Sequence, residues 1–233
     1  MSAMKELGTL RKIHAAGLSI GYTGHSPVLT AIDQVWQGPG IHLILGENGS
    51  GKSTLIRTLA GLQEPLKGVV NWDEENIHSI VAPRKITKMA FVESMPPRQS
   101  ELTVDEALAL NGRSRAEQDL WLHRFDLLSL RSKSISQLSD GLAQRVMLVR
   151  AILQETPWIL MDEPTAFLDV KSRHVMWSHC SSLVEQGRHI MVSSHDFHLL
   201  EHNPHLKSVT AIRDHRLHHL DPMGSFAEWS ASL

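Results

Sequence analysis

A glycine-rich segment followed by a lysine and a serine constrains this chain more than any other stretch of its sequence. Residues 46–53 read GENGSGKS, between an apolar run, Ile41–Leu45, and a segment, Lys52–Leu62, whose leucines recur at helical spacing. A strand, a glycine-rich loop, a Lys-Ser pair and a helix, in that order, are typical of loops that wrap the phosphates of a nucleotide. We therefore predict a nucleotide-binding site at this junction.

The residue types of this loop suit phosphate binding. We expect Gly46, Gly49 and Gly51 to reach positive φ, so that successive backbone N–H groups point at phosphate oxygens. The N-terminus of the following helix adds its positive end. Lys52 is expected to reach the β- and γ-phosphates, and the Ser53 hydroxyl to ligate Mg²⁺. A plain glycine-rich turn is the alternative, and it leaves the Lys-Ser pair unexplained.

A second apolar run ends in two acidic residues. Trp158–Met161 has the composition of a buried strand, and Asp162 and Glu163 follow it directly. A carboxylate at the carboxyl end of such a strand suits Mg²⁺ bound beside a triphosphate, and a second carboxylate can polarise an attacking water. Taken alone, the pair could equally be a strand end and a helix cap. Together with the phosphate loop, it is interpreted as the hydrolytic acid pair.

Composition excludes several classes of protein. The chain has 233 residues and a net charge of −2, without the basic excess of a nucleic-acid binder. Its one cysteine, Cys180, cannot form an internal disulfide and fits a reducing compartment. No run approaches the ~20 apolar residues of a membrane-spanning helix, and residues 1–14 lack the apolar core of a secretory signal. We expect a soluble, cytoplasmic protein.

The order of the predicted elements indicates an α/β core interrupted by a helical insert. Thr103 and Glu106 form a capping-box pattern at the first helix of the insert. We expect one domain, with its core at roughly residues 1–94 and 156–233 and a helical subdomain at roughly 95–155. The predicted strands are Leu18–Tyr22, Gln34–Trp36, Ile41–Leu45, Val69–Trp72, Trp158–Met161 and Ile190–Ser193, with a closing hairpin of Val209–Ile212 and Arg216–Leu220. The predicted helices are Lys52–Leu62, Val104–Leu110, Ala116–Phe125, Leu142–Gln154 and Val170–Val184.

Taken in order, the motifs resemble the ATP-binding cassette of ABC transporters over nearly the full chain. The match rests on GENGSGKST at 46–54, LSDGLAQRV at 138–146, WILMDEPTAFLD at 158–169 and SSHD at 193–196. The resemblance implies a P-loop NTPase fold with a RecA-like core, an N-terminal antiparallel β subdomain and a helical insert. It also implies an ATPase that powers transport through separate transmembrane permease subunits, bound peripherally to the cytoplasmic face of the cell membrane.

The resemblance implies a role for each matching residue in the nucleotide site. Tyr22 would stack on the adenine, Asp162 would support Mg²⁺, and Glu163 would be the general base. His195 would contact the γ-phosphate. ATP and Mg²⁺ are the expected cofactors, and the phosphates would be held by Gly46, Glu47, Asn48, Gly49, Ser50, Gly51, Lys52, Ser53 and Thr54.

The resemblance further implies a head-to-tail pair of ABC ATPase subunits, expected here as a homodimer. Ser139 and Gly141 would donate to the γ-phosphate of the nucleotide held by the opposite subunit, and Asp169 would link the two subunits. Ser139 and Gly141 also open the helical pattern from Leu142, where N–H groups meet an anion. A plain helix cap at Ser139 is compatible with that role.

Two departures from the family pattern stand out. The family's signature loop, which corresponds to the start of LSDGLAQRV here, usually reads Leu-Ser-Gly-Gly-Gln. In this chain Asp140 and Leu142 stand at its third and fifth positions. A carboxylate at 140 is unfavourable near a triphosphate unless it is turned away or paired. The glutamine that the family places ahead of the insert, as a Mg²⁺ sensor and link to the membrane subunit, falls on Ser94, or on Glu93 with a one-residue slip. Either is a weak candidate for the metal site.

The signature variant and the GSF sequence at 224–226 most resemble importers of iron–siderophore, haem or cobalamin complexes. Such importers also use a solute-binding protein, which is a possible further partner. The permease subunits would dock near Pro96, Pro97 and Arg98. An exporter ATPase and a non-transport ABC switch remain alternatives.

The H-x-x-E-H pattern at 198–202 matches a zinc site. Fifteen histidines in the chain make such a match easy to find by chance, and a solvated helix is the favoured interpretation.

Overall fold

The computed structural model describes residues 10–195 and 200–232. Asp196, the first two residues of the zinc-like pattern and most of the segment considered for a secretory signal lie outside these ranges. The strands are β1 Lys12–Ile20, β2 Leu29–Gln37, β3 Gly40–Gly46, β4 Lys67–Trp72, β5 Glu75–Asn76, β6 Met89–Val92, β7 Trp158–Asp162, β8 His189–Ser193, β9 Leu206–Arg213 and β10 Arg216–Leu220. The helices are α1 Lys52–Leu59, α2 Ala82–Lys88, α3 Val104–Ala109, α4 Arg115–Arg124, α5 Asp140–Leu153, α6 Val170–Glu185 and α7 Phe226–Ala231.

The strands form two sheets. The N-terminal sheet has the order β2-β1-β4-β5 and is antiparallel throughout. The larger sheet has the order β10-β9-β3-β8-β7-β6, and its neighbours from β9 to β6 pair in parallel. Only β10 runs antiparallel, in the predicted closing hairpin with β9. This is the α/β fold that the sequence predicts, with an antiparallel β subdomain at the N-terminus.

The central strands are buried because both faces of the larger sheet are covered. Every residue of β3, β7 and β8 is buried, as is usual for parallel strands. Adjacent residues point to opposite faces: Leu43 joins the core formed with α5 and α6, whereas Ile44 joins the core formed with α1 and β1. The strand that leads into the glycine-rich loop is therefore packed against apolar cores on both faces.

The predicted helices of the insert are confirmed to within two residues. They are α3, α4 and α5, and they lie between β6 and β7 in the chain. The capping box is present: Thr103 Oγ1 accepts from Glu106 N at 3.2 Å, and Glu106 Oε2 accepts from Thr103 N at 2.8 Å. The division into a core and a helical subdomain stays a prediction. No described helix is long and apolar enough to span a bilayer.

Several predicted elements need correction, and among them β2 begins at Leu29 rather than at Gln34. Helix α1 ends at Leu59 rather than Leu62, because Gly61 adopts φ 68° and turns the chain away. Strand β1 extends back to Lys12 and ends at Ile20, since pairing with both β2 and β4 outweighs the weak pattern of its first half. Helices α2 and α7 were not predicted; each is short, with a weak apolar pattern.

Two buried histidines stack on a tryptophan at the amino-terminal ends of the central strands. The ring of Trp158 stacks on those of both His42 and His189, with centroid distances of 5.4 and 4.6 Å. His42 Nε2 donates to Gly38 O at 3.3 Å, and its Nδ1 lies 2.9 Å from Ser208 Oγ. Burial lowers the pKa of His42 from 6.5 to about 4 and also lowers the pKa of His189. Both rings are therefore neutral at physiological pH.

We expect this stack to make the fold sensitive to acid. His42 binds its proton near pH 6.5 when unfolded but only near pH 4 when folded, so the unfolded state binds more protons between these values. As the pH decreases through that window, the free energy of unfolding should fall by up to about 3 kcal/mol because of this residue. Urea unfolding of His42→Gln should show a shallower pH dependence, whereas exposed His78→Gln should keep the parental slope. Equal slopes in the two variants would contradict the assignment.

Candidate phosphate-binding and hydrolytic site

The candidate site lies where four parallel strands end. Because β3, β8, β7 and β6 are neighbours and run in parallel, their carboxyl ends meet at one edge of the sheet. The glycine-rich loop follows β3, Asp162 and Glu163 lie at the end of β7, His195 follows β8, and the Glu93–Ser94 pair follows β6. Four segments that are distant in sequence are thus brought to one place.

The loop after β3 is a compact turn with two glycines in the left-handed region. Gly49 has φ 81° and Gly51 has φ 105°, as expected. Gly46 is a correction, because its φ is not positive. A side chain is excluded there for a different reason: a Cβ would collide with Ser50 Oγ. The turn is closed by a hydrogen bond from Ser50 N to Glu47 O at 3.1 Å. Glycine is therefore required at 46 by the close approach of Ser50, and at 49 and 51 by the positive φ.

The remaining loop residues divide into an exposed tip and a buried base. Glu47 and Asn48 are exposed beside Gly49, and Ser53 is exposed on the first turn of α1. Thr54 is buried, and its carbonyl accepts from Thr58 Oγ1 at 2.7 Å inside α1. The base is therefore anchored in the core, while the tip and Ser53 face outward.

Lys52 is the cation at the centre of the site. Its Nζ donates to Gly46 O at 2.8 Å and Glu47 O at 3.1 Å, and lies 3.2 Å from Glu163 Oε1. The side chain is only 6% exposed, so its charge is poorly screened by solvent. The lysine ties the base of the loop to the acidic end of β7.

Ser193, at the end of β8, holds both acidic residues. Its Oγ donates to Asp162 Oδ1 at 2.6 Å, and the backbone N of Glu163 approaches Ser193 O at 3.0 Å and Ser193 Oγ at 3.1 Å. Glu163 has φ 45°, which is unfavourable for a residue with a side chain. These hydrogen bonds stabilise a backbone conformation that turns the Glu163 side chain back over the loop.

His195 completes the cluster. Its Nδ1 donates to Glu163 Oε2 at 2.8 Å, and its backbone N lies 3.3 Å from the same oxygen. One carboxylate oxygen of Glu163 therefore faces Lys52 and the other faces His195. The Glu163 side chain is 13% exposed, at the mouth of the loop. This arrangement can bind an anion and hold a base beside it.

The donor set fits a magnesium ion. Asp162 is fully buried, and its Oδ2 has no hydrogen-bond partner among the described residues. A buried carboxylate oxygen without a partner is costly unless a cation uses it. Mg²⁺ prefers oxygen ligands and retains several waters, and the Ser53 hydroxyl supplies another such oxygen on α1.

Tyr22 lies in the turn between β1 and β2, which passes beside the loop. The turn is closed by His25 N donating to Tyr22 O at 3.1 Å. Its last residue, Val28, packs so near the loop that a Cβ on Gly51 would lie 2.5 Å from Val28 Cγ1. The Tyr22 side chain is 58% exposed. An exposed ring in this turn is available for stacking, and the stacking role stays a prediction.

The signature residues form a second cluster, at the N-termini of α5 and α6. Ser139 caps α5, its Oγ accepting from Leu142 N at 3.3 Å. Gly141 is required by a close approach, since a Cβ there would lie 2.5 Å from Phe167 O. Asp169 caps α6, accepting from Ser172 N at 2.7 Å; the hydrogen bonds from Ser172, with the nearby charge of Arg145, lower the pKa of Asp169.

The two departures from the family pattern have structural partners. Asp140 is paired, with its Oδ1 3.1 Å from Arg98 Nη1. The Glu93 carboxylate lies 3.5 Å from Arg57 of α1, and its backbone carbonyl accepts from Gln144 Nε2 at 3.0 Å. Arg57 is four residues after Ser53 and so on the same face of α1. Glu93 is thus near the candidate metal site and already engaged with a cation.

Sequence reasoning missed the residues that support the site. These are Ser193, Arg98, Gln144 and the carbonyl of Phe167. Ser193 and Gln144 lie inside motifs that the sequence singled out, so motif membership was an available signal. Phe167 also lies inside a quoted motif, whereas Arg98 acts through a residue about 40 positions away, and no local pattern marks that pairing.

Comparison with known proteins agrees with this geometry. Residues 34–166 match the family described as ABC transporter. The chain is 31% identical over 189 residues to the cobalt import ATP-binding protein CbiO of Salmonella typhimurium, covering 76% of this chain and 69% of the relative. It is 29% identical over 231 residues to the hemin import ATP-binding protein HmuV of Idiomarina loihiensis, covering 93% and 87%.

Similarity extends to an export protein and to solved structures. The Nod factor export ATP-binding protein I of Bradyrhizobium diazoefficiens is 31% identical over 160 residues, covering 65% of this chain and 52% of the relative. A solved ATP-binding subunit of an ABC transporter superposes with a TM-score of 0.81 at 27% identity, covering 94% of this chain and 98% of the other. The chain therefore has the ABC cassette fold. Its relatives include both import and export proteins, so similarity alone does not give the direction of transport.

The loop geometry predicts unequal effects of adding one methyl group. Gly51→Ala should lower the free energy of unfolding by about 3 kcal/mol, because the left-handed backbone is strained and the new Cβ meets Val28. Gly49→Ala should cost only about 1 kcal/mol, since no described atom lies within 4 Å of a Cβ built there. Urea unfolding measures both. Equal losses would show that Val28 does not constrain the loop.

Proposed function

The chain belongs to the ABC transporter family as an ATP-binding subunit, and from this premise we propose that it hydrolyses ATP at the cluster of Lys52, Asp162, Glu163 and His195 to power solute transport. The observation that carries the proposal is the Glu163 carboxylate, which lies 3.2 Å from Lys52 Nζ and 2.8 Å from His195 Nδ1. A base is thereby held where the phosphates of a nucleotide would end.

Binding rests on the loop between β3 and α1. Backbone N–H groups of residues 46–54 and the N-terminus of α1 favour the triphosphate, and the Lys52 ammonium offsets charge on the β- and γ-phosphates. Tyr22 stacks on the adenine. Ser53 and Asp162 would hold Mg²⁺, whose charge would neutralise the developing charge on the phosphate oxygens when bound. Glu93 or Ser94 is a further, weaker candidate for that position.

Hydrolysis rests on the residues around Glu163. The carboxylate orients the attacking water by a hydrogen bond and accepts its proton as the water oxygen bonds to the γ-phosphorus, while the bond from that phosphorus to the bridging oxygen breaks and ADP leaves. His195 orients the carboxylate through its hydrogen bond and reaches the γ-phosphate. Lys52, whose ammonium forms an ion pair with Glu163, also faces the phosphates. A bound triphosphate would draw Lys52 toward it and free one carboxylate oxygen for water.

A second copy of the chain completes each site in this proposal. Ser139 and Gly141, at the N-terminus of α5, would donate to the γ-phosphate held by the partner, and Asp169 would bridge the two subunits. In support, both N-termini carry intact caps, and Gly141 packs on the carbonyl of Phe167, two residues before Asp169. A C₂ pair would use the same surfaces twice and form two composite sites.

The transported solute is proposed from similarity. We favour import of an iron–siderophore, haem or cobalamin complex, in part because the match to the hemin import protein spans 93% of this chain. Export is the second candidate, and the match to the Nod factor export protein favours it. Permease subunits would dock near Pro96 and Arg98, where Met95 and Leu102 are exposed and apolar. In this proposal the chain is bound peripherally to the cytoplasmic face of the membrane, with a solute-binding protein as a further partner of an importer.

Glu163→Gln tests the proposed base. The amide keeps the size of the side chain but cannot accept the proton, so ATP should still bind while steady-state hydrolysis falls by about 10²- to 10⁴-fold. The variant should also accumulate as an ATP-bound dimer. Glu185→Gln, which removes an exposed carboxylate paired with His205, is the matched control and should retain activity. Glu163→Gln activity above about a tenth of the parental rate would exclude Glu163 as the base.

Purification of the intact complex tests the transport role. The chain should co-purify from detergent-solubilised membranes with a polytopic subunit, and the cognate solute should stimulate its ATPase activity. Recovery without any membrane protein would count against transport and favour a non-transport switch. In the same complex, Glu93→Ala or Ser94→Ala should impair this stimulation more than ATP affinity. Unaltered stimulation in both variants would remove them as substitutes for the coupling glutamine.

A further inference from the structure

Asp140 places a carboxylate beside the proposed phosphate-binding surface of α5. It is the first residue of α5 and follows Ser139 directly. Consecutive Cα atoms are about 3.8 Å apart, so a phosphate bound at Ser139 lies within roughly 10 Å of this charge. That distance is comparable to the Debye length at physiological ionic strength, and the repulsion is only partly screened. The position needs a compensating charge if a triphosphate is to bind there.

Arg98 supplies that charge. Its Nη1 lies 3.1 Å from Asp140 Oδ1 and also donates to the backbone carbonyl of Leu138. One guanidinium therefore contacts the residues on both sides of Ser139. The Arg98 and Asp140 side chains are half-exposed, at 43% and 44%. The pair lies at the surface where a partner subunit would approach, and its charge is accessible to a ligand.

The Arg98 side chain is held in place by its own segment. The segment 93–98 follows β6 and is attached to α5 at two points, by Gln144 Nε2 donating to Glu93 O and by Arg98 itself. Gln144 is fully buried and lies five residues after Ser139 on α5. The two contacts bracket the first turns of α5.

The position of the acid explains why pairing matters. The N-terminus of a helix stabilises a nearby anion, and Asp140 is itself an anion in the first turn of α5. An unpaired Asp140 would compete with the phosphate for the same N–H groups. Pairing with Arg98 draws the carboxylate aside and lowers the local negative charge. It leaves the Ser139 hydroxyl and the helix N-terminus available to the phosphate.

We propose that Arg98 is a positioning residue for the composite site, which neutralises Asp140 so that the partner subunit's ATP can bind beside Ser139. The proposal rests on the head-to-tail dimer proposed above. Arg98 touches no reacting atom and acts through the charge of Asp140. Because Arg98 also lies where permease subunits would dock, docking and nucleotide-driven dimerisation would share this arginine.

Dimerisation of the full chain measures the effect. In the Glu163→Gln background, ATP should drive formation of a dimer that analytical ultracentrifugation detects. Adding Arg98→Ala should raise the ATP concentration for half-maximal dimerisation about tenfold, and more at low salt, where the charge of Asp140 is less screened. The affinity of the monomer for ATP should stay unchanged. Arg84→Ala, which removes another exposed arginine paired with a carboxylate, is the matched control and should leave dimerisation at the parental level.

Removal of the acid separates charge neutralisation from a structural role. Arg98→Ala combined with Asp140→Gly should dimerise within about twofold of the Glu163→Gln parent, because no carboxylate then needs a partner. A loss that persists in this combination overturns the inference, as does an unchanged ATP requirement in Arg98→Ala alone. A Glu163→Gln parent that binds ATP but stays monomeric at saturation overturns the proposed dimer and the inference together. Dimerisation of the parent with no effect of Arg98→Ala overturns the inference alone.

Discussion

Parallel pairing of β8 between β3 and β7 is the constraint on which the rest of the site depends. In this register Ile44, Ser193 and Asp162 lie side by side across the three strands. The glycine-rich loop therefore begins level with the acidic pair, and Ser193 can reach both carboxylate-bearing residues. A slip of one residue would turn Ser193 to the opposite face and separate it from Asp162. The apolar cores on both faces of the sheet hold the register.

Charge balance around Glu163 follows from this alignment. Its carboxylate is held between a buried ammonium and an imidazole, with backbone strain stabilised by Ser193. Strained residues of this kind persist only where the surrounding structure specifies them, and they concentrate at functional sites. Asp162, with one oxygen bound and the other without a described partner, offers a ligand atom to a cation. The proposed base, Glu163, and the proposed metal ligand, Asp162, thus have different neighbours, as their different proposed roles require.

The signature cluster obeys a different constraint. It is built on the N-termini of α5 and α6, where caps at Ser139 and Asp169 leave backbone N–H groups directed outward. It is linked to the sheet edge through segment 93–98, by Gln144 and Arg98. The proposed hydrolytic cluster and the proposed phosphate-receiving cluster are therefore separate in position but linked through contacts of this segment. This connection is what a dimer with composite sites would require.

The sequence alone determined the fold class, the glycine-rich loop, the acidic strand end and the helices of the insert. Each is encoded by a local pattern: a period of hydrophobicity, a capping box, or residue types at a fixed spacing. Tertiary structure decided the rest. The length of β1, the pairing of Asp140 with Arg98 and the support of Glu163 by Ser193 depend on contacts between distant segments. Such contacts arise from packing and strand register, which no local pattern encodes. They determine which partners stabilise charged residues such as Asp140 and Glu163 in the folded chain.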